Sequence, residues 1–304
     1  MSFSADTKTE LCRVPLNRSC CAAAEAYGVL LFANTFSGRE IRIITGSAAL
    51  SQRLPKLFRR AFGVEFDALP GENAAGKRSF LITDSEKILK IFSAYGQEPS
   101  LALHINLGML ENECCRGAFL RGAFLSGGSI TDPDKRYHME LMCSHQSVLR
   151  ETISLLQELG FEPRLSRRSG GELIYFKQSD VISDVLATIG APLAGMALQQ
   201  SKVEKDIRNT INRRVNCDSA NADRIVSAAQ EQLDMIRRID AEIGISALPD
   251  ALQETAMLRI ANPESSLAEL SALSYPPVSK SCLSHRMKKL MAYLSEMQHE
   301  PSDS

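Results

Sequence analysis

The chain has 304 residues, of which 44% are hydrophobic and 23% charged, so it has the size and composition of a globular protein with about two domains. No apolar run approaches the roughly 18 residues of a membrane helix, and the first residues lack the pattern of a signal peptide. We therefore expect a cytoplasmic protein with no membrane partner. The formal net charge of −1 gives no general argument for a polyanion partner, so any such argument depends on local basic patches.

A repeat organises the first two thirds of the chain. Residues 19–36, SCCAAAEAYGVLLFANTF, match residues 114–130, CCRGAFLRGAFLSGGSI, and the offset from Gly28 to Gly122 is 94 (122 − 28). The two copies of the unit lie at about 13–96 and 114–190. Two copies of one unit in tandem predict a pseudo-symmetric domain.

In the first unit, a helix over 19–36 precedes elements identified by their apolar periodicity. They are a strand at 40–45, a helix at 48–62, strands at 63–68 and 77–83, and a helix at 85–95. The helix at 48–62 carries four cations, Arg53, Lys56, Arg59 and Arg60, which we interpret as a solvated face.

In the second unit, a helix from Cys114 runs into a turn at Gly127 and Gly128 and then a strand. Small residues recur along this helix at steps of three and four, namely Ala118, Gly122, Ala123 and Ser126. They predict a face that another helix backbone can approach closely. The later elements are a strand at 137–143, a helix at 146–159, a hairpin of 161–167 with 172–177 around Gly170 and Gly171, and a helix at 180–189.

The eight cysteines include no CxxC pair. Two adjacent pairs, Cys20 with Cys21 and Cys114 with Cys115, stand at the starts of the two repeated helices. Their spacing and the lack of histidine neighbours differ from those of zinc sites, so we interpret them as buried thiols that act as small hydrophobic residues. The sequence predicts no metal and no cofactor.

A basic segment follows the second unit. Between 202 and 214 there are five basic residues and two acidic ones. The basic residues are Lys202, Lys205, Arg208, Arg213 and Arg214. We expect a linker here, and contact with DNA phosphates or simple solvation of these side chains are equally compatible with the pattern. Asp218 or Ser219 can cap the next helix, whose apolar stripe includes Leu233 and Ile236.

The last residues predict a small helical domain. A helix at 249–261 ends at Asn262 and Pro263, and Ser266 and Glu269 have the form of a capping box before a short helix with Leu267, Leu270 and Leu273 inward. After a turn at 275–277, Ser279 caps a third helix from Lys280 to about Met297. Its apolar stripe is Leu283, Met287, Leu290 and Leu294.

A short helix, a turn and a longer basic helix can place the last helix in the major groove of DNA. Residues 279–290 include four basic residues and no acidic one. The candidate DNA-binding residues are Ser279, Lys280, Ser281, Ser284, His285, Arg286, Lys288 and Lys289. Side chains of this helix away from the stripe can meet base edges, and its N-terminus can hold phosphate.

Residues 120–130, LRGAFLSGGSI, resemble the motif helix of LAGLIDADG homing endonucleases, and residues 13 to about 294 resemble the WhiA family more closely. The resemblance implies an α+β fold: a duplicated, pseudo-two-fold αββαββα LAGLIDADG-like domain, followed by an all-α helix-turn-helix domain. The expected domains are 1–196, a basic linker and helix at 197–245, and the helix-turn-helix at 246–304. In the endonucleases an acidic residue at the foot of each motif helix binds metal, and the aligned residues here are Ala33 and Gly127, which cannot.

The resemblance implies a sequence-specific regulator of transcription that binds double-stranded DNA in the nucleoid and acts in bacterial cell division, chromosome segregation or sporulation, without nuclease activity. One alternative is a metal-dependent endonuclease with displaced acids, Asp132 or Asp134. Another is an interaction module, in which the first domain contacts the transcription machinery and the last domain alone contacts DNA.

Overall fold

The computed structural model describes residues 2–71, 76–99, 102–168 and 171–297, with the side chains of Arg168 and of 294–297 left out. The chain forms two compact units, Met1–Asp206 and Ile207–Ser304. The first mixes helices and strands, and the second is helical. The expected α+β fold with an all-α C-terminal part is confirmed.

The helices of the first unit are α1 (Phe3–Leu11), α2 (Ser19–Leu31), α3 (Ala48–Phe62), α4 (Ser85–Ala94), α5 (Glu113–Gly127), α6 (Gln146–Glu158) and α7 (Ser179–Ile189). Its strands are β1 (Thr35–Phe36), β2 (Ile41–Thr45), β3 (Arg78–Ile82), β4 (Gly128–Ile130), β5 (Met139–Cys143), β6 (Arg164–Arg168) and β7 (Gly171–Phe176). Long helix α8 (Pro192–Glu242) begins in the first unit and continues into the second.

The repeated helices α2 and α5 pack against each other more extensively than any other pair of elements in the described chain. The reason is the absence of side chains at two matched positions. A Cβ on Gly28 would lie 2.0 Å from the carbonyl oxygen of Phe119, and a Cβ on Gly122 would lie 2.0 Å from that of Glu25. The predicted close approach of two small-residue faces is confirmed, and both helices lie in the centre of the core.

Each repeat contributes one antiparallel sheet. The first has the order β1-β2-β3 and the second β4-β5-β7-β6. Each sheet has one buried face, on which side chains of neighbouring strands lie opposite each other. Ile43 lies opposite Phe80 in the first sheet, and Leu141 lies opposite Ile174 in the second. Helix α5 ends at Gly127 and β4 begins at Gly128, with no residue between them. The predicted turn at Gly127 and Gly128 is therefore wrong.

The strand predicted at 63–68 is also wrong. This segment makes one isolated bridge, between Ala68 and Leu81, and its shape is held by a side chain instead. The carboxylate of Asp67 accepts hydrogen bonds from the backbone N–H groups of Thr83 at 2.7 Å and Asp84 at 2.8 Å. The hairpin turn expected at Gly170 lies outside the described residues, although β6 and β7 pair as predicted.

Arg53 does not lie on a solvated face. It is 6% exposed, and its guanidinium binds the carboxylate of Glu25 through Nε at 2.5 Å and Nη2 at 2.8 Å. Arg121 donates to the same carboxylate through Nε at 2.8 Å. The spacing of apolar residues along α3 indicates which of its side chains face solvent. It cannot show that Arg53 has an ion-pair partner on another helix, and Glu25 lies on α2.

The second unit contains the end of α8, followed by α9 (Asp250–Ala261), α10 (Leu267–Leu273) and α11 (Lys280–Met297). Residues of all four helices form one apolar cluster, with Ile236, Ala256, Leu270 and Leu290 each fully buried. Two predictions are wrong. Leu273 is 55% exposed, and Asp218 and Ser219 lie inside α8 rather than at the start of a helix.

Candidate nucleic-acid interface

Helix α11 is fixed to the second unit by its apolar side. Leu283, Met287 and Leu290 are at most 3% exposed, and they pack into the cluster formed with α8, α9 and α10. The side chain of Leu294, predicted to continue this stripe, lies outside the described residues. At the N-terminus, the Ser279 hydroxyl accepts a hydrogen bond from the Cys282 N–H at 3.2 Å, so the predicted cap is confirmed.

The opposite side of α11 faces solvent. The exposed candidate residues are Ser279, Lys280, Ser281, His285, Lys288 and Lys289. Ser284 is half-buried. His285, Lys288 and Lys289 therefore line one face of the helix, and Lys280 lies in its first turn, where backbone N–H groups and the helix dipole favour an anion. This arrangement can hold a phosphate backbone and reach base edges.

Arg286 lies differently from the other candidates. Its guanidinium is 3.2 Å from the carboxylate of Glu254 on α9, and its Nη1 lies 3.5 Å from the carbonyl oxygen of Ala251. The side chain is 21% exposed. It therefore braces α11 against α9, and its charge is already paired.

Helix α10 precedes the turn and is fixed by its predicted capping box. The Ser266 hydroxyl accepts from the Glu269 N–H at 3.3 Å, and the Glu269 carboxylate accepts from the Ser266 N–H at 2.7 Å. That backbone hydrogen bond lowers the pKa of the Glu269 carboxyl. Buried Arg259 of α9 holds the preceding loop by donating to the carbonyl oxygens of Asn262 and Ser265. The geometry that presents α11 is thus built from local side-chain contacts.

The basic segment at 202–214, predicted to be a linker, is helical and lies within α8. Lys202 binds Asp180 at 2.8 Å, and Lys205 donates to the carbonyl oxygen of Pro133 at 2.5 Å while lying over the ring of Tyr137. Both cations serve to attach α8 to the first unit. Other candidates in this segment, Arg208, Arg213 and Arg214, are exposed on α8.

The foot of each motif helix is where a LAGLIDADG nuclease carries its catalytic acids, and here the position in α5 has no space for a side chain. A Cβ on Gly127 would lie 2.3 Å from the carbonyl oxygen of Met142 and 3.0 Å from the ring of Phe32. An aspartate at this position would require backbone movement. Ala33, at the matching position, is buried at 9% exposure.

Three acidic residues lie near this end of α5. Glu140 of β5 accepts a hydrogen bond from the Ser129 hydroxyl at 3.0 Å and lies 3.1 Å from the His138 imidazole. Asp132 accepts from the backbone N–H of Asp134, whose own carboxylate accepts from the Ser201 hydroxyl at 2.8 Å. Asp132 and Asp134 thus shape the loop after β4 and hold it to α8.

Comparison with known proteins shows which family has this architecture. The family models described as the WhiA LAGLIDADG-like domain and the WhiA C-terminal HTH domain match residues 116–208 and 211–294. A protein of Ruminiclostridium cellulolyticum named "Probable cell division protein WhiA" is 36% identical over 95% of this chain and 96% of its own. The chain belongs to the WhiA family. A second relative with the same name, from Alkaliphilus metalliredigens, is 32% identical over 95% of this chain and 96% of its own.

Solved structures of the WhiA family share the fold. Full-length DUF199/WhiA from Thermatoga maritima is 24% identical, has a TM-score of 0.60 and covers 97% of this chain and 99% of its own. An N-terminal LAGLIDADG domain of DUF199/WhiA, also 24% identical, has a TM-score of 0.51 and covers 62% of this chain and 92% of its own. The expected WhiA fold is confirmed, and its HTH domain supports DNA binding.

Throughout the described ranges, every helix is too short or too polar to span a bilayer.

Four cysteines that the sequence pattern does not bring together form a cluster in this WhiA-family chain. The sulphurs of Cys20, Cys21, Cys114 and Cys115 all lie within 4.8 Å of one another, at the first turns of α2 and α5. Cys115 is buried but Cys20 is exposed, so the interpretation of all four as buried thiols is wrong. Interaction with the Cys21 side chain and a hydrogen bond from Arg18, whose Nη1 is 3.6 Å from the sulphur, lower the pKa of Cys114. Burial instead raises the pKa of Cys21 to about 11 and that of Cys115 to about 12. The offset of 94 residues was the available signal, since it pairs Cys20 with Cys114.

Proposed function

We propose that this protein binds double-stranded DNA in a sequence-specific manner through α11 of its helix-turn-helix domain. The observation that carries the proposal is the solvent face of α11, where Lys280, Lys288 and Lys289 lie with His285 on a helix fixed by its other side. Lysines contribute affinity for phosphate, whereas Ser281 and His285 can donate to base edges. Arg286 acts as a positioning residue, because its charge is paired with Glu254.

The names of the relatives support a cellular role. Proteins that match nearly the whole chain are named cell division proteins, and we propose that this chain regulates transcription in the nucleoid for cell division, chromosome segregation or sporulation. Contact of the first unit with the transcription machinery is a further part of the proposal. Arg208, Arg213 and Arg214 on α8 are proposed as additional contacts to DNA phosphates.

The test is charge reversal on α11. Replacing Lys288→Glu and Lys289→Glu together should weaken binding to specific and non-specific duplexes alike, and reduce the slope of log K against log salt by about 2, because each lost phosphate contact contributes roughly 0.9. Fluorescence anisotropy at several salt concentrations measures both quantities. The matched control is Lys56→Glu with Lys90→Glu, two exposed lysines on α3 and α4. Unchanged binding by the α11 variant would contradict the proposal.

The second part of the proposal is that the LAGLIDADG-like domain does not cleave DNA. It is supported by the lack of space for an acidic side chain at Gly127 and by the engagement of Asp132 and Asp134 in loop contacts. We expect supercoiled plasmid to remain intact with the full chain and Mg²⁺ or Mn²⁺, since Ala33 and Gly127 at the feet of the two motif helices supply no carboxylate to bind the metal that stabilises the charge of the reaction. Nicking that is abolished by Asp132→Asn or Asp134→Asn would favour the displaced-acid endonuclease instead.

A further inference from the structure

The four cysteines at the start of the motif helices form a compact set of sulphur donors. Each helix supplies an adjacent pair, Cys20 with Cys21 on α2 and Cys114 with Cys115 on α5. Within each pair the sulphurs are 4.0 Å apart, and all four lie within 4.8 Å of one another. Among the described residues no other group of three or more His, Cys, Asp or Glu side chains is close enough to share a metal ion.

These distances fit one tetrahedral ion. A zinc ion with four thiolates at about 2.3 Å places its sulphurs about 3.8 Å apart. The observed separations exceed that value by at most 1.0 Å, so an inward shift of about half an ångström by each sulphur closes the site. Small rotations about the side-chain bonds can supply such a shift, because all four sulphurs already lie within 4.8 Å of one another.

Positively polarised groups lie close to the sulphurs. All four cysteines lie in the first turns of helices, where the backbone N–H groups and the helix dipoles are positive, and neither α2 nor α5 has a side-chain cap that competes for those groups. Arg18, the residue before α2, brings a guanidinium to 3.6 Å from the sulphur of Cys114. Four thiolates around a divalent ion carry a net charge of −2, and these groups offset part of it.

Other occupants fit less well. Iron–sulfur clusters insert several irons and sulphides between the four thiolates, which then stand further apart than around a single ion. A disulfide requires sulphurs about 2.05 Å apart and engages only two of them, whereas here all eight cysteines of the chain are free. Tetrahedral coordination by four sulphurs is characteristic of zinc and of iron–sulfur centres, and the clusters among the latter need the wider spacing.

We propose that Cys20, Cys21, Cys114 and Cys115 bind one structural zinc ion that joins the two repeats at the N-terminal ends of their motif helices. Each thiol releases its proton to solvent as its sulphur binds the metal. The ion connects positions 94 residues apart in sequence (114 − 20) and lies at the end of the helices opposite to Ala33 and Gly127. The site is independent of the proposed DNA contacts on α11.

The first test measures zinc in the full chain, produced without a metal-affinity tag and kept reduced. Mass spectrometry of the metal content should give about one zinc per chain. Cys20→Ser with Cys114→Ser should lower that content at least tenfold, whereas the control, Cys217→Ser with Cys282→Ser, exposed cysteines of the second unit, should retain it. A chelator should lower the melting temperature of the wild-type chain and of the control, but not of the Cys20 and Cys114 variant.

The second test does not depend on the variant folding. Metal-free, reduced wild-type protein is titrated with Co²⁺, whose tetrahedral thiolate complexes absorb intensely in the visible range. Saturation at one equivalent, followed by loss of the absorption on adding Zn²⁺, is the expected result. Zinc that persists in the cysteine variant, iron with sulphide in the wild type, or a chain without metal whose mass under non-reducing conditions shows a disulfide would each overturn the proposal.

Discussion

Glu25 sits in the centre of the first unit with two arginines on its carboxylate. It is 0% exposed, and its three hydrogen bonds come from Arg53 and Arg121 at 2.5 to 2.8 Å. Arg53 also donates to the carbonyl oxygens of Cys12 and Val14, and Arg121 to that of Ile189. Because each guanidinium has further acceptors, the buried charges are largely satisfied, and the network links α2 to α3 and α5.

Removing the charge of Glu25 should therefore be costly. Glu25→Gln leaves two buried guanidinium groups without their carboxylate, and we expect the free energy of unfolding to fall by about 3–5 kcal/mol. Urea unfolding followed by circular dichroism measures this loss. The control is Glu65→Gln, which breaks the exposed pair with Arg59 and should cost less than about 1 kcal/mol. Equal stability of the two variants would show that the network contributes no more than a surface ion pair.

At the scale of elements, the contact between α2 and α5 depends on the absence of two side chains. Gly122→Ala should gain up to about 1 kcal/mol from helix propensity, yet its Cβ would lie 2.0 Å from the carbonyl oxygen of Glu25. Backbone cannot yield as a flexible side chain can, so overpacking of about 1–3 kcal/mol or more should exceed the gain. We expect a lower melting temperature for Gly122→Ala.

The comparison for this variant is Gly46→Ala, where an added Cβ meets no atom within 4 Å. Both substitutions add one methyl group to the same unit, and only one of them adds it between two helix backbones. Thermal unfolding of the two variants side by side measures the difference. A Gly122→Ala protein as stable as Gly46→Ala would mean that α2 and α5 separate at no cost, contrary to the packing described here.

The elements that the sequence predicts correctly are those with a local signal. The stripe of Leu283, Met287 and Leu290 and the capping box at Ser266 depend on neighbours within a few residues, and both are confirmed. No local pattern predicts the N-terminal helix α1. The sequence predicts a basic linker followed by a helix where the structure has the single helix α8, because residues 206 to 228 are exposed all round and need no apolar stripe.

Side-chain contacts with distant partners were missed, although the repeat correctly predicted the packing of α2 against α5. Arg53 finds Glu25 at a separation of 28 residues, and the four cysteines meet only because α2 and α5 pack side by side. In the candidate DNA site, local periodicity correctly placed Lys288 and Lys289 in solvent. It could not place Arg286, because Glu254 belongs to another helix.

On the scale of the whole molecule, the two repeats are alike where α2 packs against α5 and differ in their sheets. Matched glycines and matched cysteine pairs line the contact of α2 with α5, whereas neither helix foot carries an acid. The first sheet has three strands and the second has four, since the segment at 63–68 is held by Asp67 rather than paired as β6 is with β7. The features retained in both copies are those that join the halves.

A cellular experiment separates the contributions of the two units to DNA binding. Genome-wide crosslinking of the wild-type protein should give discrete peaks at promoters, and these should disappear for Lys288→Glu with Lys289→Glu, because affinity for phosphate depends on the lysines of α11. The control, Lys56→Glu with Lys90→Glu, changes the net charge equally and should keep the peaks. Peaks that survive charge reversal on α11 would mean that the LAGLIDADG-like domain recognises DNA itself, and the helix-turn-helix would then serve another partner.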